Sequence, residues 1–358
     1  MKKILLIDYY GICNSKGRAV GHSPKVLKEY GTLLKSEYEV GAAVSPCLIE
    51  GAEGEFNKIY QLKYDICVED RMSIIKRISD KCMIFSNIIK ALEIDGYDVY
   101  WFYKTDFFLF FFLCFRNMKK WKNRHNRKLM AQVYQGSFGS GNIQKVLDWF
   151  YKKGMSRFDG ITYSQKQTAD IHFNMLYFPD YYYDTDKYIK YRSLKKENKV
   201  VCLGTMNSYK KLDALIDAFN CNGYPLEIRG HFFDKDFYQR LCAKANHNIV
   251  VEDRVLTEKE YYGALAGAKY TVLPYDMKLY QSRTSGILVE SMFLDTVAIA
   301  PEQLLQENHI EGIGYERMEE LSDAVFFERR TVIDNSAVKK EFDQEEAGRR
   351  LREFIEGL

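Results

Sequence analysis

"VVCLGTMNSYKKLDALIDAF", residues 200–219, begins with four apolar residues, turns at Gly204 and continues as an amphipathic helix. Val200–Leu203 has the length and character of a buried strand, and Leu212, Leu215, Ile216 and Phe219 recur at helical spacing. Strand, glycine turn and helix make half of a βαβ unit, and the pattern continues downstream. "PLEIRG", "NIVVEDRV", "KYTVLPYD" and "TVAIAP" read as strands, alternating with the helices "DFYQRLCAKA", "TEKEYYGALAGA" and "SGILVESMFLD". Thr257 and Glu260 have the spacing of a capping box.

The first half alternates in the same way. "KKILLIDYY", "VGAAVSPCLIE", "DVYWFYK", "KLMAQVYQ" and "DGITYS" are strand-like, and amphipathic segments separate them. Ser23 and Pro24 suit the start of the first helix. Between the halves "FPDYYYDTDKYIKYRSLKKENK", residues 178–199, is polar and tyrosine-rich without apolar periodicity. The expected fold is therefore α/β, two doubly wound Rossmann-like domains facing a cleft. Residues 1–178 form the first domain, 179–199 a linker and 200–340 the second. Residues 341–358 form a terminal helix able to pack back on the first domain.

Composition narrows the function. The 358 residues are 46% hydrophobic and 28% charged, with a net charge of +3, too small to argue for nucleic acid. The eight cysteines form no CxxC pair and have no histidine cluster beside them, so free thiols in a reducing cytoplasm are expected. "MKKILLIDYYG" is interrupted by Asp8 too early for a signal peptide, and no apolar run is long enough to span a membrane. Neither GxGxxG nor GxxxxGK[ST] occurs.

Residues 105–128, "TDFFLFFFLCFRNMKKWKNRHNRK", pair an apolar run with seven cations. Nine apolar residues as helix span roughly 14 Å, about half a hydrocarbon core. Phe107–Phe115 is read as a core helix. The basic end, with Arg116, Lys119, Lys120 and Lys122, is either simply solvated or faces an anionic membrane surface.

The chemistry concentrates in the second half. Gly204 ends a strand and Lys210 enters the following helix, where a lysine supplies a point charge for phosphate. In "VLPYDMKLYQSRTSGILVESMFLDTVAIAP", residues 272–301, a helix beginning near Thr284, Ser285 and Gly286 exposes backbone N–H groups, with Glu290 about one turn on. This order resembles the donor-binding domain of the retaining GT-B glycosyltransferases, which use nucleotide-diphosphate sugars. Their "GRLxxxKGxDxLIxAF" is met by "GTMNSYKKLDALIDAF", and the second glutamate of their "ExxxxxxxE" by Glu290. The resemblance covers residues 200–301 most specifically. It implies diphosphate binding by Gly204, Lys210 and the 284–286 turn, ribose binding by Glu290, and a nucleobase near Arg254 and Val255. It departs at Thr205, where the family has arginine, and at Ser282, where it has the first glutamate. Arg229 and Arg283 are the cations available to compensate.

By the same resemblance the first domain takes the acceptor, a glycan or lipid-linked sugar. Its loop "YYGICNSKGRAVGH" contributes Gly11, Gly17, Gly21 and His22, and "VYQGSF" contributes Gln135. No catalytic base, metal or other cofactor is implied, and nucleic acid is not an expected partner. The implied role is surface-polysaccharide synthesis in the cytoplasm or at the inner face of the cell membrane. The rival reading is a catalytically silent GT-B subunit that binds a partner or glycan.

Overall fold

The computed structural model describes residues 1–13, 17, 19, 23–67, 73–133, 142–164, 174–179, 182–183, 185–207, 210–280, 285–323, 327 and 333–358. Two compact units emerge, Met1–Asp180 with Gly348–Leu358, and Tyr181–Ala347. The first runs β1 (Lys3–Asp8), β2 (Ile12–Cys13), α1 (Ser23–Leu34), β3 (Glu39–Val44), α2 (Ile49–Ala52), β4 (Lys58–Gln61), β5 (Ile66–Cys67), α3 (Ile74–Glu93) and β6 (Val99–Phe102). It continues through α4 (Phe107–Cys114), α5 (Met118–Asn123), β7 (Lys128–Val133), α6 (Asn142–Met155), β8 (Gly160–Tyr163) and β9 (Met175–Tyr177). Seven strands form one sheet in the order β4-β3-β1-β6-β7-β8-β9, and its pairings are parallel.

The second unit runs α7 (Thr185–Arg192), β10 (Glu197–Leu203), α8 (Leu212–Asn222), β11 (Leu226–Gly230), α9 (Lys235–Lys244), β12 (Ile249–Asp253), α10 (Glu258–Gly267) and β13 (Ala268–Val272). Then follow α11 (Met277–Tyr280), α12 (Gly286–Phe293), β14 (Val297–Pro301), α13 (Glu302–Asn308), β15 (Ile313–Tyr315) and α14 (Ser336–Phe342), and only the first residues of α15 (Gln344–Glu356). Its parallel sheet has the order β12-β11-β10-β13-β14-β15. Strand order reverses beside β10, which places the carboxyl ends of β10 and β13 at the switch point where doubly wound sheets bind ligands. Buried side chains cover both faces of this sheet in two clusters, one centred on Leu265 and Leu288, the other on Leu215 and Phe219. The expected doubly wound α/β architecture is thus the one observed.

Two local expectations need correction. Of residues 179–199, read as a linker, those from Tyr181 on fall in the second unit and include α7. The reason is that its tyrosines act as core residues: Tyr188 and Tyr191 are buried, and the Tyr188 ring meets Tyr262 edge-on at 4.9 Å. The core helix read over Phe107–Phe115 ends one residue early, at Cys114, and a second helix follows it. Asp106 caps α4 by accepting from Leu109 N–H at 3.1 Å, and Asn117 restarts the chain as α5 by accepting from Lys120 N–H at 3.2 Å. Leu109, Phe110, Leu113 and Cys114 are core, but Phe115 is exposed.

From Gly348 onward α15 belongs to the first unit. There Lys2 Nζ donates to Ile355 O at 3.1 Å and Tyr38 Oη donates to Glu356 Oε1 at 3.0 Å, while Leu351 and Ile355 are buried.

Candidate functional site

β10 ends at Leu203, and Gly204 takes a left-handed backbone with φ +95° that an L side chain rarely adopts. Its N–H donates to Arg229 O at 3.2 Å, which holds the turn against β11. A methyl group on Gly230, the last residue of β11, would lie 1.7 Å from Gly204 O, so the two backbones pass as closely as they do only because residue 230 lacks Cβ. The chain then pairs Met206 with Phe232 and Lys210 with Tyr275 before α8 begins.

Lys210 is thereby drawn inward. Its side chain is buried, with Nζ 2.8 Å from Leu203 O and 3.7 Å from Met206 Sδ. No carboxylate pairs with it among the described residues, and burial pushes its pKa below the ordinary lysine value. Lys211, next in sequence, points outward and pairs with Asp276 at 3.5 Å. A buried ammonium facing a carbonyl at a strand end is poorly compensated until an anion arrives.

α12 provides the second element. Ser285, at its N-cap, is extended and buried, and its hydroxyl hydrogen-bonds Tyr275 Oη at 3.3 Å instead of capping the helix. The Tyr275 ring stacks on Tyr280 with centroids 4.0 Å apart. Glu290 is buried about one turn into α12, where Tyr261 Oη donates to Oε2 at 2.5 Å and Tyr262 Oη donates to Oε1 at 3.2 Å. With its proton so used, Tyr262 accepts from Tyr188 Oη at 3.1 Å. Burial and then the Glu290 charge raise the pKa of both tyrosines. Each carboxylate oxygen has two lone pairs, so Glu290 is fixed in place and keeps acceptor capacity for a ligand. These tyrosines were missed in the sequence, where only the adjacent pair in "KEYYGA" hinted at them.

The other expected contacts fare unevenly. Arg254 is exposed and tied by its guanidinium to Glu252 and to Glu260, the latter at 2.6 Å. That bond, foremost, holds the Glu260 pKa down at about 2. Val255 beside it is exposed. Arg229 pairs with Glu227 at 3.1 Å and Glu252 at 3.4 Å, so it is not a free substitute cation, and Thr205 is exposed. Ser282, Arg283, Thr284, Gly21, His22 and Gln135 lie outside the described residues.

In the first unit Gly11 is buried and donates to Ser45 Oγ at 2.9 Å; a Cβ there would meet Ser45 Cβ at 2.4 Å, so its glycine is explained by packing. Gly17 turns with φ +73° in open space. More suggestive are residues passed over in the sequence, at the carboxyl ends of β1 and β6. Buried Asp8 accepts from Tyr103 Oη at 2.7 Å, Lys104 Nζ donates to Tyr10 O at 2.9 Å and Ser23 Oγ at 2.8 Å, and Asp106 accepts from Tyr9 Oη at 2.9 Å.

The basic run is also sorted. Arg116, Lys119 and Lys120 are exposed, whereas Lys122 pairs with Asp159 at 2.9 Å. Arg127 is buried, paired with Asp95 and held over the rings of Trp121 at 5.0 Å and Tyr100 at 5.5 Å. Arg127→Ala is expected to cost about 2 kcal/mol through lost packing and cation–π contact, readable as a lower denaturant midpoint.

Neither a family model nor a curated relative matches the chain by sequence. Solved structures do match its fold. Anabaena Alr3699/HepE in complex with UDP is 12% identical with a TM-score of 0.63, each chain covered over 100% of its length. AviGT4, a glycosyltransferase involved in avilamycin A biosynthesis, is 12% identical with a TM-score of 0.56, covering 99% of this chain and 97% of its own. The UDP-GlcNAc 2-epimerase of Neisseria meningitidis bound to UDP-GlcNAc is 9% identical with a TM-score of 0.57, covering 99% of this chain and 100% of its own. The chain thus has the GT-B fold, which glycosyltransferases and a nucleotide-sugar epimerase share.

Proposed function

We propose that the protein is a glycosyltransferase that moves a sugar from a nucleotide-diphosphate donor to a glycan or lipid-linked acceptor, with retention, in surface-polysaccharide synthesis. The observation that carries this reading is the buried Lys210 ammonium at the carboxyl end of β10, without a described carboxylate partner. A donor diphosphate would supply the missing charge, with the entrance of α12 adding N–H donors and Glu290 taking the ribose hydroxyls. The fold's occurrence in proteins solved with UDP and UDP-GlcNAc supports a uridine nucleotide as the first donor to test.

In the reaction the bond between the anomeric carbon and the leaving phosphate oxygen breaks while the acceptor oxygen bonds to the same face. The departing phosphate oxygen takes the acceptor proton. Lys210 and the backbone donors stabilise its developing charge, so the chemistry rests on electrostatics and positioning and calls for no side-chain base or metal. A lipid-linked acceptor is presented at a bilayer, which makes peripheral attachment through Arg116, Lys119 and Lys120 part of the same reading; Lys122 is engaged by Asp159.

The test is a thermal-shift screen against UDP-, GDP-, ADP- and dTDP-sugars, followed by donor hydrolysis. A uridine nucleotide is expected to raise the unfolding midpoint. No shift with any nucleotide would instead favour a silent GT-B subunit, a reading supported by Thr205 and by the carboxylate pairing of Arg229 and Arg254.

A further inference from the structure

One face of the first unit is built unlike the rest of its surface. On α3, Ile74, Ile75 and Ile78 are 77%, 80% and 61% exposed; on and after α4 and on α6, Phe115, Val146 and Trp149 are 69%, 55% and 53% exposed. Half-buried rings join these side chains into one band. Phe85 of α3 stacks on Phe112 of α4 at 5.4 Å, and Phe150 of α6 lies 5.0 Å from Phe111 and 5.9 Å from Phe115. Ile74, Ile78 and Phe85 share one helical face, so the exposed isoleucines extend the band along α3.

Cations are set into this band. Lys81 lies 3.7 Å over the Phe108 ring, Lys153 4.5 Å over Trp149 and Arg116 5.0 Å over Phe112. Beyond them Lys119, Lys120 and Arg124 border an open recess of about 810 Å³ whose lining includes no carboxylate. On α3 to α6 the carboxylates are Asp80, Glu93 and Asp148 alone, and Asp80 is buried beside Lys76.

We infer that the α3–α4–α6 face is a lipid-docking surface, which lays its aromatic and isoleucine side chains shallowly into an anionic leaflet while the interleaved cations meet the phosphates. Protein interfaces are depleted of lysine at their cores, because its charge would be desolvated. Here lysines lie over the rings themselves, the mixture suited to a headgroup boundary, where apolar side chains sink and charged ends snorkel to phosphate. Insertion stays shallow: α4 has eight residues, about 12 Å of helix, and no described helix is long and apolar enough to cross a membrane. This deepens the surface attachment in the proposed function, and its readout needs no nucleotide, so loss of either property leaves the other measurable.

The experiment is cosedimentation of the full chain with phosphatidylcholine vesicles, with and without phosphatidylglycerol, read together with tryptophan emission. Binding is expected only with phosphatidylglycerol, and a blue shift that Trp149→Phe abolishes. Phe115→Ser with Trp149→Ser is expected to weaken partition about thirtyfold. Lys119→Ala with Lys120→Ala should do so to a similar degree, about fivefold for each cation. All four side chains are exposed, so the thermal midpoint should stay unchanged. Absence of vesicle binding, or binding indifferent to the aromatic pair, overturns the inference. So does a concentration-dependent dimer lost in Phe115→Ser/Trp149→Ser without vesicle binding, which would assign the face to a second copy of the chain.

Discussion

Lys210→Met is expected to weaken nucleoside-diphosphate binding about 100-fold while leaving the unfolding midpoint of the free protein unchanged or higher. Methionine keeps the length and apolar volume of the stem and removes the charge. In the free protein the ammonium has Leu203 O and Met206 Sδ for partners, so losing it forfeits one carbonyl bond but relieves a desolvated cation. In the complex the same change removes a charge-assisted bond to phosphate in a dry setting, about 3 kcal/mol. The opposite responses of stability and affinity separate a binding role from a structural one. The pH dependence has a definite sign. Burial lowers the free-site pKa below 10.5, and a bound anion raises it again. Affinity is therefore full below the free-site pKa and falls as pH rises from that value through the bound-site value. Titration calorimetry with UDP across alkaline pH should show this loss in the wild type and not in Lys210→Met. Equal affinity in the two proteins would remove Lys210 from the site.

The parallel sheets were legible because buried strands read as uninterrupted apolar runs, as "ILLI" and "VVCL" do, and helices as periodic ones. Lys210 and Glu290 were visible as charged residues just beyond glycine or serine turns. Their surroundings were not. Nothing local distinguishes Lys210 from Lys211, yet one is buried under β10 and the other reaches Asp276. The outcome depends on the backbone pairing of residue 210 with Tyr275, a contact between segments sixty-odd residues apart. Glu290 likewise depends on hydroxyl donors from a different helix. Tyrosine also defeated the periodicity test in α7, since a pattern that scores tyrosine as polar hides the buried Tyr188 and Tyr191. Beyond the Phe107–Phe115 core helix, the second helix was signalled only by Asn117, a residue type suited to an N-cap.

Gly230→Ala is expected to be the most damaging single methyl group in the second unit, costing about 3 kcal/mol of stability and most of the nucleotide affinity. The new Cβ would sit 1.7 Å from Gly204 O, 2.7 Å from the carbon of that carbonyl and 3.2 Å from Met206 Cε. Relief requires one of two backbones to move, and each is held. Gly230 O accepts from Arg254 N–H at 3.0 Å, and β11 keeps its register with β12 through Asp253. Gly204 donates to Arg229 O at 3.2 Å, and its φ of +95° sets the direction of its carbonyl. Shifting Gly204 displaces the loop that delivers Lys210, so stability and binding should fall together, unlike in Lys210→Met. Two controls grade the cause. Gly204→Ala meets only Lys210 Nζ, at 3.9 Å, and suffers mainly from its left-handed backbone, at about 1 kcal/mol. Gly263→Ala, inside α10 with nothing within 4 Å of the added methyl, is expected to stabilise by about 0.5–1 kcal/mol. Denaturant midpoints in the order Gly263→Ala, wild type, Gly204→Ala, Gly230→Ala would attribute the loss to close approach of β10 and β11. A wild-type midpoint in Gly230→Ala would mean that the two strand ends do not approach as described.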